Sequence, residues 1–235
     1  MLLSDTLVAM SLSLGALAAG LQAWSHLRTS QQTVQALEQM HAQQREVQRL
    51  LERISLTAGA TRVTTTAQGT THWVSKSAPI NGGEGVSADT LTWVVPREID
   101  PRDCQGNQAS RLDAIAHHVK LSSQHELSCK DTLRPEALFQ ALAERVEDLQ
   151  ALYAEASGGA GNDPAQAPLQ WKSADQVLDW REVRAVSLCV RWASPHKLGQ
   201  ASVNITGCRG ETVAGDGRLR RLQRSTLRLS SQGDE

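Results

Sequence analysis

Apolar residues crowd the first two dozen positions, MLLSDTLVAMSLSLGALAAGLQAW, and then thin to a stripe over the next thirty, SHLRTSQQTVQALEQMHAQQREVQRLLERI. Residues 7–24 contain neither a charge nor a proline, and about 18 residues at 1.5 Å each cover most of a bilayer's hydrocarbon thickness. Beyond Trp24 the apolar positions Leu27, Val34, Leu37, Met40, Val47, Leu50, Leu51 and Ile54 fall three, four or seven apart, with Gln, Arg and Glu between them. That spacing is an amphipathic helix with one narrow apolar face. No breaker separates the two parts, and Gly59 is a natural C-cap, so a single helix over residues 2–58 is predicted, roughly 85 Å long. Gly15 and Gly20 lie in its apolar part, where small residues permit close helix approach.

After Gly59 the pattern turns to short Thr/Val-rich runs between turn residues. Residues 62–66, 72–74 and 90–95 read as strands, and NGGEG at 81–85 as a flexible loop. A DCQGN turn at 103–107 is followed by a hairpin of 114–121 and 126–130, which leaves Cys104 and Cys129 on neighbouring segments. Residues 135–156 read as helical at their start, with Pro135 in the first turn and Leu138, Leu142, Val146 and Leu149 at helical spacing, turning to strand at their end. Residues 157–168 are a loop by composition. The strongest strand signal is 180–193, mixed on both faces and therefore central, with a final strand over 219–229 expected beside it. The expected organisation is residues 1–24 as the membrane-spanning part of the helix, 25–58 as its amphipathic part, 59–229 as a β-rich head and 230–235 as a frayed tail. The fold class is α+β, a long N-terminal helix on a head of mainly antiparallel strands.

Composition narrows the function. About 175 residues remain for the head, enough for one core. The net charge of -1 comes from interspersed acids and bases, so no global field favours nucleic acid or acidic lipid. Six Trp stand against one Tyr and one Phe, a poor supply of base-stacking platforms. Cys104, Cys129, Cys189 and Cys208 all lie in the head; an even count at wide spacing fits two disulfides in an oxidising compartment better than a zinc site. Of the three pairings, the sequence-local one, Cys104 with Cys129 and Cys189 with Cys208, is expected.

The candidate chemistry is sparse. His117, His118 and His125 are close in sequence, but adjacent histidines of a strand point to opposite faces, which fits surface or packing roles better than a shared ion. No GxSxG nucleophile motif and no phosphate-cradling Gly loop occurs. Arg218, Arg220, Arg221 and Arg224 alternate across a strand and read as a solvated edge that resists aggregation. No catalytic residue, metal ligand or cofactor is assigned, and a non-enzymatic protein is expected. The lone acid of the apolar segment, Asp5, sits where a secretory signal should be basic and a membrane span uncharged. That charge, and a helix that continues past the apolar run, argue against a cleaved signal.

The segments taken together resemble the PilW-like minor pilins of type IV pili. MLLSDTLVAM is similar to the start of the mature pilin helix, with Asp5 at the family's acidic position. DTLTWVVPREIDPRDCQGN (residues 89–107) resembles the family's strand and DCxG turn, and HELSCKD (125–131) its strand ending in a cysteine. LAERVEDLQALYAEA (142–156), DWREVRAVSLCVRWASP (179–195) and RLRRLQRSTLRLSS (218–231) are similar to three further family segments in the same order. Three departures stand out. No basic leader ending in Gly precedes the apolar run, so either the numbering starts at the mature residue or the leader is missing from the sequence. Met1 stands where Phe is usual, and Asp5 where Glu is. The 157–168 loop lacks the acids for the calcium site of relatives, Asp163 alone being too few.

The resemblance implies a pilin-like fold and a role in pilus assembly, in a priming or tip complex. It implies an inner-membrane anchor with a periplasmic head that later joins the pilus fibre. Leu7, Val8, Leu12, Leu14, Leu17, Leu21 and Trp24 would then form the filament-core face. Asp5 would pair with the α-amino group of a neighbouring subunit's first residue, Met1, and so set register. The implied partners are other minor pilins, the major pilin, prepilin peptidase, the assembly platform and the inner membrane, while DNA or a surface ligand has no support in these residues. Two other readings stay open: a GspJ-like minor pseudopilin of type II secretion, and a binding domain exported by a signal sequence. The cysteine pair after the DC turn and the closing RR…LR segment favour PilW.

Overall fold

In a computed structural model, described here for residues 3–59, 63–66, 69–72, 78–96, 99–104, 106–108, 114–157, 168–198 and 203–230, one long helix carries a head of antiparallel strands. Side chains are described over the same stretches except 3–7, 63–66 and 69–72. Helix α1 runs Leu3–Thr57 without interruption, 55 residues and about 80 Å. It ends as Gly59 enters the left-handed region (φ 75°), where a side chain would strain the backbone. A Cβ at Gly59 would also run into the Pro79 ring.

The head contains β1 (Val63–Thr66) and β2 (Gly69–His72), paired as a small ribbon, then β3 (Ile80–Gly83), β4 (Thr90–Pro96), β5 (Ala114–Leu121), β6 (Glu126–Asp131) and β7 (Gln140–Glu144). These last five form one antiparallel sheet in sequence order. A second sheet has the order β13-β10-β8-β9, built from β8 (Val146–Ala156), β9 (Leu169–Lys172), β10 (Val183–Lys197) and β13 (Arg218–Arg228). The short hairpin of β11 (Ile205–Thr206) and β12 (Thr212–Val213) stands apart from it. The chain passes between the sheets at Arg145, whose φ of 62° makes a sharp corner and whose carbonyl accepts a hydrogen bond from the Ala193 amide at 2.9 Å.

Alternation explains the core. In the first sheet Leu91, Trp93, Val95, Ile115, His117, Val119, Leu127, Cys129 and Asp131 are buried on one face, while Thr92, His118 and Lys130 turn outward. The second sheet contributes Val146, Leu149, Tyr153, Val186, Leu188 and Trp192. Met40, Val47, Leu51 and Ile54 of α1, with Ala58 just after it, complete the same cluster. The sheets and the C-terminal third of the helix therefore share one core.

Most strand expectations fall where the structure has strands, and β10 is central as its mixed faces predicted. Three expectations are corrected. Residues 135–139 contain no helix; β7 and β8 follow, paired to β6 and β10, and these tertiary partners override the local spacing. Leu138 is exposed, so the supposed helical face never existed as an apolar surface. Residues 81–83 belong to β3 rather than to a loop, and Gly82 is there because a Cβ would collide with the Tyr153 hydroxyl. Residues 180–182 form a 3-10 turn, so β10 starts at Val183. Leu2, Arg62, Val74, residues 158–167 and residues 231–235 lie outside the described residues.

Candidate functional site

The largest feature without a partner is the first half of α1. Every described residue from 8 to 32 is exposed, including Val8, Leu12, Leu14, Leu17, Leu21 and Trp24. The helix is long and apolar enough to cross a membrane, and none of the apolar window is covered by the rest of the chain. Five of its hydroxyls bond back to the helix's own carbonyls. Ser11 and Ser13 donate to the carbonyls of Val8 and Ala9 at 2.9 and 2.7 Å, and Ser25, Thr29 and Thr33 donate to Gln22, Ser25 and Thr29 at 2.8, 2.9 and 2.9 Å. Hydroxyls that bond back into their own helix need no water, so this surface can enter an apolar medium with little polar cost. Nothing lies within 4 Å of the Cβ positions of Gly15 and Gly20, which leaves both flat patches open. Asp5 lies in the first turn of α1, where the helix dipole favours an acid; its side chain, that of Leu7, and all of Met1 are outside the described residues.

The uncovered part ends later than the apolar run does. Leu27 and Val34 belong to the predicted stripe yet remain exposed, and continuous burial begins at Ala36, followed by Met40, Gln44, Val47, Leu51, Ile54 and Ser55. Arg53 pairs with Asp100 at 3.3 Å, and Gln223 donates to Gln48 at 2.9 Å. Arg221 touches His41 across the groove between α1 and β13. These seam contacts had no signal in the sequence.

Two disulfides fasten the head. Cys104 joins the loop after β4 to Cys129 of β6, and Cys189 of β10 joins Cys208 of the β11–β12 hairpin. The DCQGN turn presents Cys104: Asp103 Oδ1 accepts from the Asn107 amide at 2.9 Å, and Gly106 takes the left-handed conformation (φ 83°). Beside the second bridge, Arg209 donates to Gln150 at 2.7 Å and to the Gly85 carbonyl at 2.8 Å, which ties the hairpin to both sheets. Cys208 would have led to Arg209 only once its own partner was known.

His117 and His118 face opposite sides, as alternation predicts. His118 is outward, bonded to Thr92 at 2.7 Å and edge-on to Phe139. His117 is fully buried beside the first disulfide, and neither ring nitrogen has a hydrogen-bond partner. Burial pushes its pKa down to about 4, against the pull of Asp131. His125 sits in the β5–β6 turn with φ 60°. The arginines of β13 do not form the solvated edge expected of them, because α1 packs along the strand and the Arg220 side chain is almost buried in ion pairs. Arg218 and Arg220 pair with Asp216 at 3.8 and 2.8 Å, Arg220 also with Glu147 at 2.7 Å, while Arg224 lines the groove facing α1.

Comparison with known proteins gives the head a relation. Residues 117–231 match the family described as PilW, Type IV Pilus-assembly protein W. This part of the head is similar to PilW. The match spans β5 to the end of β13 and includes Cys129, Cys189 and Cys208, just under half of the chain. Among solved structures, a type IV-like pilin from Thermus thermophilus is similar over 82% of this chain and 97% of its own, with a TM-score of 0.48 and 12% identity. A search of curated protein sequences returns no match. The stretch similar to the pilus-assembly family therefore lies within a twice-stapled antiparallel head that is joined to a long uncovered helix.

Proposed function

We propose that this protein is a minor pilin that acts in type IV pilus assembly, in a priming or tip complex. The observation that carries the reading is a PilW-like head rigidly continuous with a helix whose first half has no covering. In this reading residues 1–24 anchor the subunit in the inner membrane with the head in the periplasm. On assembly Leu7, Val8, Leu12, Leu14, Leu17, Leu21 and Trp24 exchange lipid for the helices of neighbouring pilins. The transfer is between two apolar media, so packing and polar pairing decide it rather than the hydrophobic effect. Prepilin peptidase and the assembly platform are the implied processing partners.

Asp5 has the specific role. A carboxylate in either medium costs several kcal/mol unless paired, roughly the penalty for an isolated buried ion. Its proposed partner is the α-amino group of the adjoining subunit, which fixes the axial register of one helix against the next. Asp5→Ala is expected to leave the protein in the membrane fraction and to abolish its incorporation into pili, while Asp5→Glu, with a longer reach, retains it. Immunoblots of sheared pili against membrane fractions measure both. Undiminished incorporation of Asp5→Ala would overturn the proposal.

A further inference from the structure

The buried pocket around the first disulfide holds more ligand chemistry than packing requires. The Sγ atoms of Cys104 and Cys129 and a ring nitrogen of His117 all lie within 4.8 Å of one another, and all three residues are buried. Among the described residues His117 has no hydrogen-bond partner at either nitrogen, and Oδ2 of its cross-strand neighbour Asp131 is likewise buried without one. An imidazole enclosed with Trp93 and Val119 and bonded to nothing is an unusual thing to bury. Two thiolates and an imidazole are the donor set of a zinc site, and they need no large rearrangement, since Zn–S and Zn–N bonds of about 2.3 and 2.0 Å place donors roughly 3.5 to 4 Å apart.

We propose that the reduced head binds one Zn²⁺ through Cys104, Cys129 and His117, with Asp131 accepting from the N–H of the ring nitrogen that does not hold the metal. The disulfide and the metal are then alternative cross-links between the loop after β4, β5 and β6. The oxidised form carries no thiolate and excludes the ion. Opening it takes two electrons: a phosphine attacks the S–S bond, water supplies the oxygen of the phosphine oxide, and two thiols result. Zn²⁺ then displaces both thiol protons to solvent as the two Zn–S bonds form. The second disulfide is the internal contrast, because among the described residues no such trio of donors accompanies Cys189 and Cys208.

The test uses the full chain in detergent micelles, with Cys189→Ser and Cys208→Ser to remove the second dithiol, reduced by a phosphine and titrated with Co²⁺ as a spectroscopic stand-in and then Zn²⁺. Expected are one Co²⁺ per chain with thiolate charge-transfer and tetrahedral d–d absorption, displacement by Zn²⁺, and no binding before reduction. His117→Gln is expected to weaken binding at least tenfold, and Asp131→Asn by about 10- to 100-fold, the usual range for groups that orient a ligand. Near-UV circular dichroism follows the fold throughout. If reduction loosens the head, Zn²⁺ must restore the native signal. Failure to restore it, binding equal in the oxidised form, or unchanged affinity in His117→Gln would each overturn the proposal.

Discussion

The two halves of α1 are one helix in two environments. From residue 36 onward a side chain every three or four positions is buried in the head, and the buried polar group Ser55 donates back to Glu52 at 2.9 Å. Before that point none of the other described residues buries residues 8–32, and the hydroxyls of Ser11, Ser13 and Thr29 bond back to the helix's own backbone. Continuity of the backbone across this change is the instructive part. A rigid helix passes any fixed register at its first turn to the point where the head begins, roughly 50 Å away from Leu3 to Ala36 at 1.5 Å per residue, whereas a hinge would lose it. The second half is stabilised by this chain; under the proposed function, the first half is stabilised by lipid or by other subunits.

The comparison breaks most visibly at two leucine-sized side chains. Ile54 of α1 is fully buried in the core that the helix shares with both sheets, and Ile54→Ala is expected to cost about 2–5 kcal/mol in urea unfolding followed by Trp fluorescence. Leu14 is exposed, so Leu14→Ala should move the same transition by no more than about 0.5 kcal/mol. Similar losses from the two would mean that the first half folds back on the head after all.

A second contrast is in pH. Residues 8–24 contain no Asp, Glu, Lys, Arg or His. In the head, His117 titrates near 6.5 when unfolded and at about 4 when folded, so between those values the unfolded chain binds the extra proton. Its contribution is therefore complete above pH 6.5 and is lost as pH falls toward 4, on the order of 3 kcal/mol for a shift of that size. Asp131 on β6, Asp100 and Asp103 on the loop after β4, and Arg53 on α1 all act on this ring. His117→Gln should flatten the stability profile over that window in the oxidised protein; an unchanged slope would assign the pH dependence to other groups.

Periodicity made much of this legible. The helix, the β5–β6 hairpin, the central place of β10 and the neighbouring β13 all follow from spacing that each segment carries within itself. What the sequence hid was set by distant partners. Leu138, Leu142, Val146 and Leu149 keep helical spacing by coincidence, and β6 and β10 draw that stretch into strands. Gly82 resembles loop glycine until Tyr153 arrives above it. Leu27 and Val34 continue the apolar stripe, but a stripe gives a phase and not the point at which a head begins to cover it. His117 looked like its neighbour His118 and differs because alternation turns it toward the disulfide.

The smallest expected effect tests what holds the covered half in place. Arg53 reaches Asp100 at 3.3 Å, but its side chain is 44% exposed, so water and salt screen the pair. A double-mutant cycle of Arg53→Ala and Asp100→Ala should give a coupling of no more than about 1 kcal/mol, shrinking further at high salt. Arg53 also disfavours the charged form of His117, so Arg53→Ala should shift the histidine's titration slightly upward and narrow its pH window. If the coupling instead matched the loss in Ile54→Ala, the seam between helix and head would be electrostatic and open to salt. A seam made of Met40, Val47, Leu51 and Ile54 cannot be loosened that way, because burial of apolar surface does not weaken with ionic strength.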